Sequence, residues 1–230
     1  ILMYNLPTRR EAASWKSWGG VQTKEAVADE RIRIAEELNT LAAGAGFPME
    51  VLPVAEVTSK EDAGKINAGD SDVTIVYPAT GSSGMLKACI PERGGIIFVR
   101  HLSGPVYYFY ESLSVRMLNT DKEPKDPDLK VSVHDVVVDD PDELLWRLRA
   151  LYGVKNFLGA RVVAMGGAAG KYADDAPQKA RERHKLDIVE ISYDDLGKRI
   201  QSAFADPGRM KRAEEWTNRY LAIPNTTLET

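Results

Sequence analysis

Short apolar runs alternate along the chain with longer stretches in which apolar residues recur at helical spacing, the pattern of successive βαβ units. Runs at 72–77 (Val73, Ile75, Val76), 95–100 (Ile96, Ile97, Phe98, Val99) and 131–138 predict strands. Residues 1–4 open the chain on another, and 49–54 predicts a weaker one, interrupted by Pro53. Ile96 to Val99 are apolar at consecutive positions, as a strand must be when helices cover both faces of its sheet. Val27, Ile34, Leu38 and Leu41 place one apolar stripe on a helix over 23–43, with Gly44 as its stop. A further helix starts at Pro141: Asp140 suits the N-cap, Pro141 the first position, and Asp142 and Glu143 the positive end of the dipole. Leu144, Leu148 and Leu151 then share a face.

After Gly159 the pattern restarts with a strand at 161–165, a loop at 166–170, a helix at 176–185 and a strand at 187–191. Ser192, with Asp195 three positions on, caps one more helix. The fold class expected is α/β: a flavodoxin-like open parallel sheet with helices on both faces over 1–158, followed by the start of a second βαβ domain over 159–230. Two strands cannot close a sheet over a core of their own. They either extend the first sheet or belong to an incomplete domain. The chain opens at Ile1 on a strand-like run, without an initiator Met, and closes on a polar tail; a fragment is expected.

Composition narrows the function. A net charge of −4 argues against nucleic-acid binding, which needs a clustered basic excess. The one basic cluster, Lys179, Arg181, Arg183 and Lys185, is interleaved with Glu182 and reads as a solvated helix face. One cysteine, Cys89, fits a reducing, cytoplasmic compartment. No apolar run reaches the ~20 residues of a membrane span, and no signal peptide is visible.

In open α/β sheets ligands bind at the carboxyl ends of the strands. The loop 77–84 carries Thr80, Ser82 and Ser83 among glycines, suited to an anion or sugar hydroxyls, or to a turn with a serine cap. Arg100 and His101 follow the most apolar strand, as substrate-binding groups or as structural hydrogen-bonding residues. Tyr107, Tyr108, Phe109 and Tyr110 line a pocket or, for at least half of them, the core. Arg10, Trp15 and Trp18 in the opening loop suit stacking on a sugar and pairing with its hydroxyls, or packing against a neighbouring subunit.

Several chemistries fail on spacing. The segment 166–172 has Met165 where a phosphate loop needs glycine and Tyr172 where Ser or Thr should meet magnesium. Tyr77-Pro78 stands where a receiver domain needs its phosphoacceptor Asp, and 7–10 is not the glycine-rich phosphate loop of a flavodoxin. His101, His134 and His184 form no metal-ligand pair, and no G-x-S-x-G elbow occurs.

The succession Asp72-Val73-Thr74-Ile75-Val76-Tyr77-Pro78-Ala79-Thr80-Gly81, then Phe98-Val99-Arg100-His101-Leu102-Ser103-Gly104-Pro105, resembles proteins related to L-fucose and L-arabinose isomerases. So do Leu144-Leu145-Trp146-Arg147-Leu148-Arg149-Ala150-Leu151 and Arg161-Val162-Val163-Ala164-Met165-Gly166-Gly167. The resemblance implies a homo-oligomer that interconverts aldoses and ketoses with a divalent metal, typically Mn2+, whose ligands lie in domains beyond this chain. It implies that His101 is the nearest match to a histidine lent to an adjacent subunit's site, and that Arg10 and Trp18 match N-terminal substrate-binding residues. The chain is thereby expected to be the N-terminal region of a sugar isomerase. The alternative expectation is a carbohydrate or small-molecule binding module without turnover.

Overall fold

The computed structural model describes residues 1–6, 19–169 and 172–223. The chain divides into two compact units, Ile1–Ala150 and Leu151–Thr230. The division falls inside a helix, some eight residues before the boundary expected at 158.

The first unit is a five-stranded, all-parallel sheet flanked by helices, a flavodoxin-like open sheet. Its elements run β1 (Leu2–Met3), α1 (Lys24–Gly44), β2 (Glu56–Val57), α2 (Lys60–Asn67), β3 (Ile75–Pro78), α3 (Ser83–Cys89), β4 (Ile96–Val99), α4 (Tyr108–Ser112), β5 (Val136–Val138) and α5 (Pro141–Phe157). The strand order is β2-β1-β3-β4-β5.

The consecutive apolar residues of the strands divide between two layers, because successive side chains leave a strand on opposite faces. Leu2, Tyr77, Ile96, Phe98 and Val137 pack with Val27, Ile34 and Leu38 of α1 and Leu144 and Leu148 of α5. Met3, Val76, Ile97 and Val99 pack on the other face with Ala63 of α2 and Met85, Leu86 and Cys89 of α3. All four residues of β4 are buried, as a central parallel strand requires.

The caps behave as their chemistry dictates. Thr23 accepts from the Ala26 amide at the start of α1, and Asp140 accepts from the Glu143 amide ahead of Pro141. Three local expectations are corrected. The strand expected at 49–54 is absent; pairing falls on Glu56–Val57 instead, clear of Pro53, which has no N–H to donate. The strand expected at 131–138 shortens to Val136–Val138, because Ser132 and Asp135 close a capping box around a 3-10 turn. Gly44 ends α1 from inside the helix; the left-handed residue is Gly46 (φ +72°).

The second unit holds β6 (Arg161–Met165), α6 (Ala176–His184), β7 (Asp187–Ile191), α7 (Tyr193–Phe204) and α8 (Pro207–Leu221). Its strands pair in parallel with each other, from Arg161↔Asp187 to Met165↔Ile191, as a two-stranded sheet separate from the first. Val162, Val163 and Met165 are exposed, so both faces of β6 lack the cover that its counterparts in the first unit have. Ser192 accepts from the Asp195 amide, the cap expected for α7. At Gly166, with φ +84°, a side chain would collide with the Tyr193 ring at 2.6 Å, which explains a glycine there without any phosphate.

Two isoleucines on α1 test the layer assignment. Ile34 is fully buried and Ile32 is 53% exposed. Ile34→Ala should destabilise the first unit by about 2–5 kcal/mol, whereas Ile32→Ala should stay within about 0.5 kcal/mol of the parent. Urea unfolding followed by far-UV circular dichroism measures both; equal effects would refute the assignment.

Candidate functional site

β1 and β3 send the chain to opposite faces, β1 to α1 and β3 to α3, so their carboxyl ends flank the topological switch point. Candidate residues at this end of the sheet fall into three sets with different fates.

The first set is a cleft of about 330 Å³ between the ends of β1 and β2 and the first turn of α1. Tyr4, Leu6, Val27 and Ala28 supply its apolar surface, and Asn5, Lys24, Glu56 and Thr58 its polar rim. Leu2 and Glu56 are register partners, so Glu56 leaves the sheet on the α1 side. The Tyr4 hydroxyl donates to Glu56 Oε2 (2.8 Å), and Arg31 lies 3.5 Å from Glu56 Oε1. Desolvation and that hydrogen bond to a carboxylate both raise the Tyr4 phenol above its ordinary range. Thr58 Oγ1 donates to Asp62 Oδ2 (3.1 Å). Lys24 stands in the first turn of α1, where the helix dipole gives a cation no support. None of the polar residues among them, Asn5, Lys24, Glu56 and Thr58, stood out in the sequence, because each is polar at a place where polarity is ordinary.

The second set is the 77–84 loop. Ser82 caps α3 by accepting from the Met85 amide (3.2 Å), and Thr80 is buried. Ser82 and Ser83 are exposed at the start of a seven-residue helix. Of the two readings, the serine cap is the one the geometry displays.

The third set surrounds Arg100 and His101, which part company. Arg100 follows Ile96 and Phe98 on the alternating face of β4 and is fully buried toward α1. Its Nε lies 2.5 Å from Glu30 Oε1, its Nη2 2.7 Å from Glu37 Oε2, and its Nη1 donates to Ser103 Oγ at 3.1 Å. The rings of Phe98, Tyr77 and Tyr107 surround the guanidinium, with centroids at 5.4, 5.6 and 5.9 Å. The Tyr107 hydroxyl donates to Glu30 Oε1 at 2.5 Å. Burial works against the Arg100 cation, but the Glu37 hydrogen bond and the neighbouring Tyr107 and Glu30 outweigh it and hold the group protonated. Burial, reinforced by the Glu30 charge, pushes the Tyr107 phenol far up. Arg100 is thus committed to the interior and offers no donor at the strand ends. Glu30 left one trace in the sequence: a charged residue midway between Val27 and Ile34, on the stripe that α1 buries.

His101 remains half-exposed, with its ring stacked on Tyr110 at 4.1 Å and 5° between planes. Tyr107 and Phe109 go to the core, as expected for half of the aromatic cluster. The amides of His101, Leu102 and Ser103 all donate to the Asp139 carboxylate, at 2.8–3.0 Å, and the Ser103 hydroxyl adds a bond at 2.5 Å. Partial desolvation raises the Asp139 carboxyl, but those hydrogen bonds outweigh it and bring it down to about 2. Asp139 was not singled out in the sequence, since nothing local links it to a loop 38 residues upstream. Arg10 and Trp18, with Trp15, lie outside the described residues.

Among the described residues, no three His, Cys, Asp or Glu side chains converge to hold a metal ion. No described helix is long and apolar enough to cross a membrane. Compared with models of known protein families, with curated proteins and with solved structures, the chain matches none.

Two outcomes follow from this geometry. Arg100→Met leaves buried Glu30 with the largely exposed Arg33, whose Nε lies 3.2 Å from Glu30 Oε2, as its cation and should cost about 3–5 kcal/mol, while pairing it with Glu30→Leu should recover much of that loss. Chemical denaturation of the single and double variants measures the difference; a double variant as unstable as Arg100→Met would overturn the ion-pair assignment. Asp139 has a folded-state pKa below the ordinary aspartate value of about 3.9, so its stabilisation is fully present above pH ~4 and is lost as pH falls through about 2. Thermal melts between pH 2 and 5 should show that loss in the parent and not in Asp139→Asn.

Proposed function

We propose that this chain binds a sugar at the carboxyl-end face of its five-stranded sheet, as the N-terminal region of a metal-dependent aldose–ketose isomerase. The observation that carries the reading is the cleft beside β1 and β2, whose volume of about 330 Å³ lies in the range of small-molecule sites. Its chemistry suits a polyol. The Glu56 carboxylate accepts from hydroxyls, Lys24 donates, Asn5 and Thr58 do both, and the Tyr4 ring offers an apolar face to the C–H side of a sugar.

In such an enzyme a proton moves between C1 and C2 through an enediol. The part of this chain is to bind and orient substrate, with His101 the candidate to meet a hydroxyl at the same face. A homo-oligomer and a cytoplasmic setting belong to this proposal through the resemblance; a lone cysteine that burial pushes up to about 12, and so keeps as an inert thiol, accords with it.

A second reading is a carbohydrate-binding module without turnover, which the polyol-suited lining of the same cleft supports equally. Both readings require sugar binding by this chain that survives chelator. Titration of the 230-residue protein with L-arabinose and L-fucose in EDTA, followed by NMR, should perturb Tyr4, Glu56 and Thr58. Glu56→Ala should abolish those shifts. A spectrum unmoved by either sugar would remove both readings, and aldose–ketose conversion by the protein as encoded, supplied with manganese, separates the first from the second.

A further inference from the structure

We propose that Asp139 is a positioning residue for His101: its carboxylate, seated in the amides of His101, Leu102 and Ser103, sets the imidazole against Tyr110 at the carboxyl-end face. The consequence for function rests on the sugar-binding reading, because the ring's placement matters to a ligand only if one reaches that face. The placement itself does not rest on it.

Three consecutive backbone N–H groups pointing into one concavity form a nest of the kind that captures anions. In this protein the anion is supplied from within. Asp139 follows β5 directly and has φ +53°, a conformation uncommon for a residue with a side chain and best tolerated by Asn and Asp. In that conformation its amide still donates to the Val99 carbonyl at 3.1 Å, while its carboxylate takes all three loop amides. A residue held in such a conformation by so many directed bonds marks a position where the surrounding geometry matters.

The nest is tied down from below as well. The Ser103 hydroxyl accepts from Arg100 Nη1 and donates to Asp139 Oδ1, so it bridges the buried cation and the loop carboxylate. Gly104 permits this, since a side chain there would meet Arg100 Cδ at 2.8 Å. With its amides taken, the loop presents side chains to a ligand, and the half-exposed imidazole, able to donate and accept, is the one suited to hydroxyls.

The test is NMR of the His101 ring in the 230-residue protein. Stacking on Tyr110 should displace the His101 Hε1 resonance upfield, and Tyr110→Leu supplies the unstacked reference. Asp139→Ala should bring Hε1 to that reference while the Ile97 to Val99 amides keep their protection from exchange. Asp139→Asn, which retains one acceptor oxygen, should fall between. If Asp139→Ala does not fold, Asp139→Asn and Ser103→Ala carry the test, each expected to lose part of the upfield shift. Unchanged Hε1 in the folded variants overturns the proposal. L-arabinose separates positioning from general support: in Asp139→Ala it should still perturb Tyr4 and no longer perturb His101. If L-arabinose perturbs nothing in the parent while Hε1 still responds to Asp139→Ala, the sugar site fails and the positioning stands.

Discussion

A guanidinium sealed from water is tolerable only when anions and hydrogen-bond acceptors meet it inside the protein, and Arg100 imposes that condition on the whole first unit. Meeting it requires Glu30 and Glu37, in the second and fourth turns of α1, to face β4, which fixes the rotation of α1 on the sheet. It also brings Tyr107 back under the strand it follows, so the 100–107 loop must fold over its own origin. The apolar contacts of Val27, Ile34 and Leu38 supply bulk stabilisation to the same packing, but apolar contacts are non-directional. The charged cluster selects one arrangement among those the apolar stripe would permit.

From that cluster the constraint passes outward to the face where a ligand would bind. Ser103 joins Arg100 to Asp139, and Asp139 gathers the amides that begin the loop. The cleft beside β1 and β2 is built differently: its polar groups stand at the rim of an apolar stripe, where α1 starts and two short strands end. One side of the carboxyl-end face is thus held by directed bonds to a buried charge, and the other is shaped by the spacing between a helix and two strand ends. The second unit shows the opposite condition, with a parallel strand pair whose apolar residues remain open on both faces.

The α/β class, the helices over 24–44 and 141–157, and the central strands were legible because each rests on local signals: apolar period, caps and proline. Strand edges were less legible. Whether 131–138 continues as a strand depends on Ser132 and Asp135 finding each other across three residues, and their capping box outcompeted the sheet there. Leu151, in step with Leu144 and Leu148, is 46% exposed, so helical period alone did not say where the covering layer ends.

The sequence by itself determined which segments are helices and strands, and that the sheet must be covered on both faces, since these follow from the order of apolar and polar residues along a few turns. Only the tertiary structure decided that Arg100 turns inward and His101 outward from adjacent positions. Successive residues at a strand end leave on opposite sides, and what awaits each side comes from elsewhere: Glu37 and Glu30 lie 63 and 70 positions before Arg100, and Asp139 38 after His101. No local period records such distances, because hydrogen bonds and ion pairs depend on where the fold brings groups together, not on their separation along the chain.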